Sequence, residues 1–429
     1  MQSFMSDGVC AEHQDRDKSS ARLVLSDRVF VIGLLFRLIV SNGLLDQFIS
    51  YTSSGGSIVE KLHPGTLLVM LACMLPRKKN INAEFASFRV VSLAFFTIIS
   101  YGTFYLLLRS GLSSIAYIVD TFLCAIFAGI YLATAPQHVA RLVVNIILVI
   151  AGVNAFIGIG EMILQKHLLP DPGFSFGYFR SYAIFGHPLL NALMTGTVGI
   201  FVLRSRVLGN ASVIYFLLLG TAILAFGARA ALLVFVPLAI IAEFARVRSI
   251  ARTAGELLRK TAAIFIGTTI FTATGLFLMV NTRFGERFIA MSDGSDNSIM
   301  ARFGIKALLE SMNSSEILFG VSPQAKQLLI ELNPYLATIE NFWVDMALSF
   351  GIVTFAPISV MLICYIWSAA KSNISAGMTS SLFFLIVAST NNSLSVKSPA
   401  LLMLVVLLIA SRGLIQSARC SRAQSIRNY

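Results

Sequence analysis

The sequence has few charged residues, few cysteines and few histidines. Charged side chains make up 13% of its 429 residues, against about 25% in a soluble globular domain. The five cysteines are scattered without CxxC or metal-ligand spacing, which excludes a disulfide framework and a zinc site. All five histidines precede residue 188, so no histidine chemistry is available beyond that point. The first 27 residues lack the features of a signal peptide, and we expect them to remain as a cytoplasmic tail.

In place of charge, the sequence contains a series of long apolar runs. A bilayer crossing needs roughly 20 mostly apolar residues. The breaks between runs predict about twelve spans, near 29–45, 58–75, 86–108, 112–133, 138–163, 183–203, 212–226, 229–245, 261–280, 340–367, 378–390 and 398–411. Only Gly227, Ala228 and Arg229 separate the seventh span from the eighth, a pattern that fits either a tight hairpin or a broken helix.

The distribution of Lys and Arg orients these spans. With the N-terminus inside, 21 of the 33 basic residues lie in inner segments and eleven in outer ones, and Arg37 lies within the first span. Because inner loops of membrane proteins are enriched in Lys and Arg, we expect both termini in the cytoplasm. The net charge of +12 is thus mainly a signal of topology. Its dispersion over many short loops argues against nucleic acid as a partner.

This topology divides the chain into five parts and leaves two sizeable outer segments, 165–182 and a long loop from about 281 to 339. The sequence SIMARFGIKALLESM (298–312) within the long loop has apolar residues at helical spacing, which predicts an amphipathic helix at the outer surface. The predicted fold class is an all-α, polytopic transmembrane bundle with a large helical periplasmic loop. Its parts are an N-terminal tail (1–28), about nine spans (29–280), the loop (281–339), the last spans (340–411) and a basic tail (412–429).

Four arginines lie on the outer face, where the charge bias disfavours them: Arg180, Arg229, Arg283 and Arg302. Each of them alone is explained as an anchor at a helix end. As a set they fit a polyanionic ligand carried by the membrane. Guanidinium groups bind phosphate bidentately and stay charged, so they can hold a lipid pyrophosphate and stabilise it as a leaving group.

Four segments, taken in order, resemble the O-antigen ligase and polysaccharide polymerase superfamily over roughly residues 140–370. They are FRSYAIFGHPLLNA (179–192), FGARAALLVF (226–235), ARFGIKALLESMNSSEILFGVS (301–322) and IENFWVDMALSFGIVTF (339–355). Ligases of this superfamily typically carry a His followed by Asn or Ser where this sequence has Glu340 and Asn341. This departure favours a polymerase of repeat units over a ligase.

The resemblance implies a metal-independent glycosyltransferase of the bacterial inner membrane, without a cofactor. It would transfer an undecaprenyl-pyrophosphate-linked glycan onto a sugar hydroxyl of the next O-antigen or exopolysaccharide repeat unit, at the periplasmic face. Its partners would be the lipid-linked oligosaccharide, membrane lipid and other polysaccharide assembly and export proteins. We assign the pyrophosphate clamp to Arg180, Arg229 and Arg302, with Arg283 as a weaker fourth member, and expect the first three to converge on one cavity. Glu340 or His187 is the candidate base for the acceptor hydroxyl.

Several alternatives stay open at this point. His187 and Pro188 predict the turn into the sixth span, where His187 forms a structural hydrogen bond or contacts substrate. Glu340 is also explained as a helix-dipole charge in the first turn of the tenth span. Arg37 and Asp120 either form a structural ion pair, which is the favoured interpretation, or line a cavity. A ligase-type transferase is the alternative function, and a polysaccharide flippase or transporter is the alternative from another class.

Overall fold

The computed structural model of the protein is mainly helical in the part of the chain that it describes. The described residues are 23–52, 57, 59–77, 85–169, 179–251, 253–281, 297–333, 336 and 338–412, and no strand occurs among them. Seven of the helices in these ranges are long and apolar enough to cross a membrane. The class predicted from the sequence, an all-α membrane protein, is confirmed at that level.

The helices are numbered α1 to α15 in chain order. Their bounds are α1 (Leu25–Ile39), α2 (Pro64–Met74), α3 (Ala86–Ser110), α4 (Ala116–Ala133), α5 (Gln137–Leu164), α6 (Pro188–Ser205), α7 (Ala211–Ala225), α8 (Arg229–Ile250), α9 (Ala254–Asn281), α10 (Asn297–Glu310), α11 (Ser314–Phe319), α12 (Pro323–Glu331), α13 (Phe342–Ala370), α14 (Ile374–Ala388) and α15 (Ala400–Ala410).

Each of the twelve predicted spans overlaps one of these helices, but five of the twelve helices are short. The short ones are α1, α2, α7, α14 and α15, of 11 to 15 residues. Helix α15 shows the physical reason, since all its residues are buried and the chain before it folds into the protein with Asn391 and Ser398 at 1% and 0% exposure. Irregular backbone is tolerated at membrane depth where protein surrounds it. The count of twelve spans stays a prediction.

The core lies around α6 and α15, and α9 lies at the periphery. The apolar window of α6 is 83% buried, whereas that of α9 is 0% buried. Helices α1 and α2 approach most closely at Gly33 and Gly65, where an added Cβ on Gly65 would lie 2.6 Å from the backbone of Gly33 and of Arg37. Small residues at such a contact let two backbones pack directly.

The segment between α9 and α13 folds into three helices that dock on the bundle. We call α10 to α12 the cap, and the end of the bundle that it contacts the cap end. Lys326 of α12 forms an ion pair of 2.5 Å with Asp345 of α13. Arg109 at the end of α3 donates to the carbonyl of Gly320 over 2.6 Å, and the amide of Val321 donates to the carbonyl of Leu348 over 2.7 Å. The cap is therefore held through both side chains and backbone.

Helix α13 is kinked at Gly351 to receive the cap. Gly351 has φ 70° and ψ 159°, a conformation that only glycine adopts readily. A Cβ there would overlap the backbone of Leu318 and Phe319. The kink in α13 and the close approach of α11 thus both require glycine, which has no side chain, at position 351.

Replacing Gly351 by Ala tests this joint. We expect a lower melting temperature, because the backbone conformation costs about 1–3 kcal/mol for a residue with Cβ and the overlap costs a further ~1–3 kcal/mol. Gly275→Ala is the control, since a Cβ on that residue of α9 meets nothing within 4 Å. Equal thermal unfolding curves for the two purified variants would contradict the proposed role of Gly351.

Candidate site at the cap end of the bundle

A buried carboxylate organises the loop between α5 and α6. Glu161 lies one turn before the end of α5 and is 0% exposed. Its Oε2 accepts hydrogen bonds from the Ser181 hydroxyl (2.6 Å) and from the amides of Tyr182 (2.9 Å) and Ala183 (3.0 Å). Its Oε1 accepts from the amide of Leu168 over 2.9 Å. Four donors replace the water that the carboxylate loses, so the charge can stay buried and hold the loop in place.

Two buried amide side chains complete the loop's hydrogen bonding. Asn154 of α5 accepts from the amide of Ile184 over 2.9 Å and donates to Thr195 of α6 over 3.1 Å. Asn191 of α6 donates to the carbonyls of His187 (2.9 Å) and Tyr182. The stretch from Tyr182 to His187 is thus fixed by side chains of both helices that flank it.

The imidazole of His167 packs in an aromatic stack beside this loop. Its ring centroid lies 4.7 Å from that of Phe179 and 4.1 Å from that of Tyr182, with nearly parallel planes. Its Nδ1 lies 3.9 Å from Oε2 of Glu161. The stack connects the two ends of the α5–α6 connection around the same carboxylate.

Arg180 is drawn into the protein next to the turn between α7 and α8. It is 4% exposed, and its Nε donates to the carbonyl of Phe226 over 3.3 Å. The neighbouring amide of Ser181 donates to the carbonyl of Ala225 over 3.4 Å. The turn continues through Gly227 (φ 61°) to Arg229, the half-buried first residue of α8. The structure therefore brings Arg180 to the segment that leads into Arg229, 49 residues later in the chain.

His187 is the N-cap of α6, as the sequence predicts. Its backbone is extended (φ −143°, ψ 130°) and Pro188 is the first helical residue. Burial, and in second place the positive charge of Arg180, lowers the pKa of His187 to about 4. The imidazole is consequently neutral at pH 7 and can offer one donor and one acceptor.

The remaining predicted site residues are placed less completely. Arg302 belongs to α10, but its side chain lies outside what the structure describes, and so does the whole of Arg283. Asp293 and Asp296, whose surroundings fit a turn better than a metal site, also lie outside the described residues. The convergence of Arg180, Arg229 and Arg302 on one cavity stays a prediction.

Glu340 is exposed and lies one residue before the N-cap of α13. The interpretation of Glu340 as a charge in the first turn of this helix is wrong, because the helix begins at Phe342 and Asn341 caps it through the amides of Trp343 and Val344. The acidic residue of the first turn is Asp345. Local capping by an Asn decided the boundary, since its side chain accepts the free amides of the first turn.

A second polar cluster lies where the chain segments before α2 and α15 meet the first turns of α4. Asp120, in a π-helical turn of α4, accepts from the Tyr51 hydroxyl over 2.7 Å and from the amide of His63 over 3.1 Å. Lys397 donates to the carbonyl of Tyr51 over 2.5 Å and lies over the ring of the same tyrosine. The cluster adjoins the α5–α6 loop, because a Cβ on Gly186 would lie 3.1 Å from Ser41.

The predicted ion pair between Arg37 and Asp120 is not formed. Arg37 is 1% exposed, and its Nε and Nη2 have no hydrogen-bond partner among the residues that the structure describes. The carboxylate of Asp120 is instead taken up by Tyr51 and His63. The Tyr51 hydroxyl and the backbone amide of His63 thus donate to the carboxylate that the sequence pairs with Arg37.

Sequence reasoning missed the residues that hold the loop, namely Glu161, Asn154 and Asn191. A signal for Glu161 was present, because a lone acidic residue near the end of an apolar run is usually functional or paired. The sequence pointed less clearly to Asn154 and Asn191, since an Asn within a helix can also lie on the helix surface. Arg109 and Lys326 were also missed, and their role depends on where the cap docks.

No protein-family model matches the chain, and a search of curated proteins finds no match.

Glu161→Gln tests the organising role of the buried carboxylate. The substitution puts an amide NH₂ group among donors, so at least one loop amide loses its acceptor, which costs about 1–3 kcal/mol. We expect a lower melting temperature and faster proteolysis of the α5–α6 loop. Glu310→Gln, at an exposed position of α10, is the matched control. A loop as resistant to protease as in the wild type would contradict this role.

The lowered pKa of His187 predicts a pH dependence of stability. Between about pH 6.5 and pH 4 the unfolded chain binds a proton at this imidazole and the folded protein does not, so stability falls as the pH is lowered through this window. We expect the melting temperature to decrease from pH 7 to pH 4.5, and to decrease less steeply in His187→Asn. The same slope in both proteins would show that His187 is not the group responsible.

Proposed function

We propose that the protein is a polysaccharide polymerase of the bacterial inner membrane. It transfers an undecaprenyl-pyrophosphate-linked glycan onto a sugar hydroxyl of the next repeat unit, at the cap end of the bundle. The observation that carries the proposal is the segment from Arg180 to His187, which holds Arg180 beside a neutral His187 and against the turn leading to Arg229.

This arrangement supports binding of a pyrophosphate leaving group. A glycosyl pyrophosphate is already activated, so the enzyme needs fixed positive charge where negative charge develops. Arg180 is fixed by its hydrogen bond to Phe226 and by the network that Glu161 organises in the adjacent residues. Preorganisation of this kind removes the cost of reorienting the charge during the reaction. Arg302 and Arg283 of the loop are proposed to complete the clamp.

The acceptor side of the reaction is assigned to Glu340 and His187. With a pKa near 4, His187 is a weak base and is better suited to orient a hydroxyl than to deprotonate it. Glu340 is exposed beside the cap, where a carboxylate can accept the proton as the glycosidic bond forms. The lack of a histidine after the cap favours the polymerase over the ligase alternative.

The proposal includes twelve spans with both termini in the cytoplasm and the cap in the periplasm. Seven long helices and five shorter ones supply enough crossings, and an even number returns the chain to the side on which it started. Labelling of single cysteines by a membrane-impermeant reagent tests this topology. Cysteines in the cap should react in intact spheroplasts, and cysteines next to Arg206 should react only after lysis.

Lysine substitutions at the clamp test the function. Arg180→Lys and Arg229→Lys keep the charge but lose the planar fork, so we expect polymer output to fall at least about tenfold. Arg248→Lys, on an exposed position near the other end of α8, should leave output unchanged. The measurements are polymer length on gels, lipid-linked intermediates by mass spectrometry, and the amount of inserted protein.

The intermediates distinguish the candidate functions in a host whose own gene is disrupted. A polymerase defect leaves single lipid-linked repeat units at the periplasmic face. Long lipid-linked polymer would point to a ligase, and repeat units retained on the cytoplasmic face would point to a flippase. Wild-type output from both clamp variants, with normal insertion, would refute the pyrophosphate clamp.

A further inference from the structure

A cleft between α8 and α9 opens toward the membrane. Two contiguous cavities of about 520 and 500 Å³ form it, and both are lined by Ile240, Ile264 and Thr268. The lining follows α9 from Lys260 to Leu276, a length of roughly 24 Å at 1.5 Å per residue. Most of the lining is apolar, so the cleft has the shape and chemistry to hold an extended hydrocarbon chain.

The end of the cleft that lies opposite the cap end is basic. Arg206, Arg246 and Lys260 line it together with a single carboxylate, that of Glu243. This carboxylate lies 2.8 Å from Nη2 of Arg206 and 2.6 Å from Nη2 of Arg246, so two guanidinium groups share one negative charge. Lys260 forms an ion pair of 2.5 Å with Glu256, a residue that does not line the cleft. Among the described residues of this end, the three basic side chains and two carboxylates therefore leave one positive charge in excess.

An unmet donor lies at the same point. Nε of Arg206 is buried and has no hydrogen-bond partner in the described part of the chain. A buried donor without an acceptor costs free energy, and a ligand oxygen that accepted from it would recover that cost. Phosphate oxygens are the acceptors that arginine binds best, and basic pockets between membrane helices bind anionic lipid head groups.

We infer that this cleft binds one anionic phospholipid, with its phosphate at Arg206 and Arg246 and an acyl chain along α9. A net negative head group matches the excess positive charge, whereas the choline of a zwitterionic lipid would be repelled by it. The weak burial of α9 is consistent with a lipid that fills the space beside α8. The inference does not rest on the proposed function, because the eighteen residues of α6, about 27 Å, separate Arg206 from His187.

The test uses delipidated, full-length protein in a neutral detergent. Phosphatidylglycerol and phosphatidylcholine with the same acyl chains are added separately, and bound lipid is counted by native mass spectrometry while the melting temperature is recorded. We expect one tightly bound phosphatidylglycerol and a rise of several degrees, with at least tenfold weaker binding of phosphatidylcholine.

Two pairs of variants locate the site. The first pair compares Arg246→Ala with Arg248→Ala, which removes the same charge from an exposed position two residues away. The second pair compares Gly267→Phe with Gly275→Phe, both on α9. A Cβ on either glycine meets nothing within 4 Å, but only Gly267 of the two lines the cleft. The Phe at 267 should fill the cleft without disturbing the packing.

We expect Arg246→Ala and Gly267→Phe to weaken phosphatidylglycerol binding at least tenfold and their controls to leave it unchanged. Because Arg246→Ala also removes an ion pair, Gly267→Phe keeps the test decisive if the arginine variant fails to fold. Equal effects of the two lipids, or equal effects within the glycine pair, would overturn the inference. Binding of undecaprenyl phosphate in preference to phosphatidylglycerol would also overturn it and would make the cleft a path for the carrier's tail.

Discussion

Backbone amides that enter an apolar bundle lose water as a hydrogen-bond partner. The fold at the cap end of this protein depends on side chains that replace the water as acceptors. Glu161 supplies acceptors for three amides and one hydroxyl of the α5–α6 connection. Asn154 and Asn191 accept from the amides of Ile184 and Phe185, and Asp120 accepts from the amide of His63 before α2. Unsatisfied groups in hydrocarbon cost several kcal/mol each, so these few side chains decide which loops can fold inward.

The inward fold of the loop has an electrostatic consequence. It places the permanent charge of Arg180 inside the protein next to His187, and the imidazole is then kept neutral by burial and by that charge. A fixed cation beside a neutral donor and acceptor is suited to an anionic leaving group and a hydroxyl nucleophile. The same two residues on a mobile surface loop would offer neither the fixed geometry nor the lowered pKa.

The arginine side chains at the two ends of the bundle have different kinds of partner. At the cap end, Arg180 lies in a preformed loop and Arg109 holds backbone carbonyls of the cap. At the other end, Arg206 and Arg246 share Glu243 at the basic end of the cleft between α8 and α9. The first arrangement fits a ligand that arrives with its reacting group at the cap, and the second fits a resident amphiphile. Because α6 and α8 each run between the two ends, both arrangements are built on the same rigid helices.

Composition and hydropathy alone determined that this is a helical membrane protein and approximately where the helices outside the cap lie, and the His187–Pro188 pair marked the turn into α6. These features are local, since a run of apolar residues, a proline and a cap each act over one or two turns. The sequence also singled out Arg180 and His187, because polar residues next to a long apolar run can be recognised without knowing the fold.

Tertiary structure alone decided what those residues contact. It assigned the carboxylate of Asp120 to Tyr51 and His63 instead of Arg37, and it made Glu161 the acceptor for amides of the α5–α6 connection. Hydrogen bonds between residues 20 to 70 positions apart depend on helix packing, and packing among lipid-exposed helices is set by shape and close contact, which apolar periodicity does not encode.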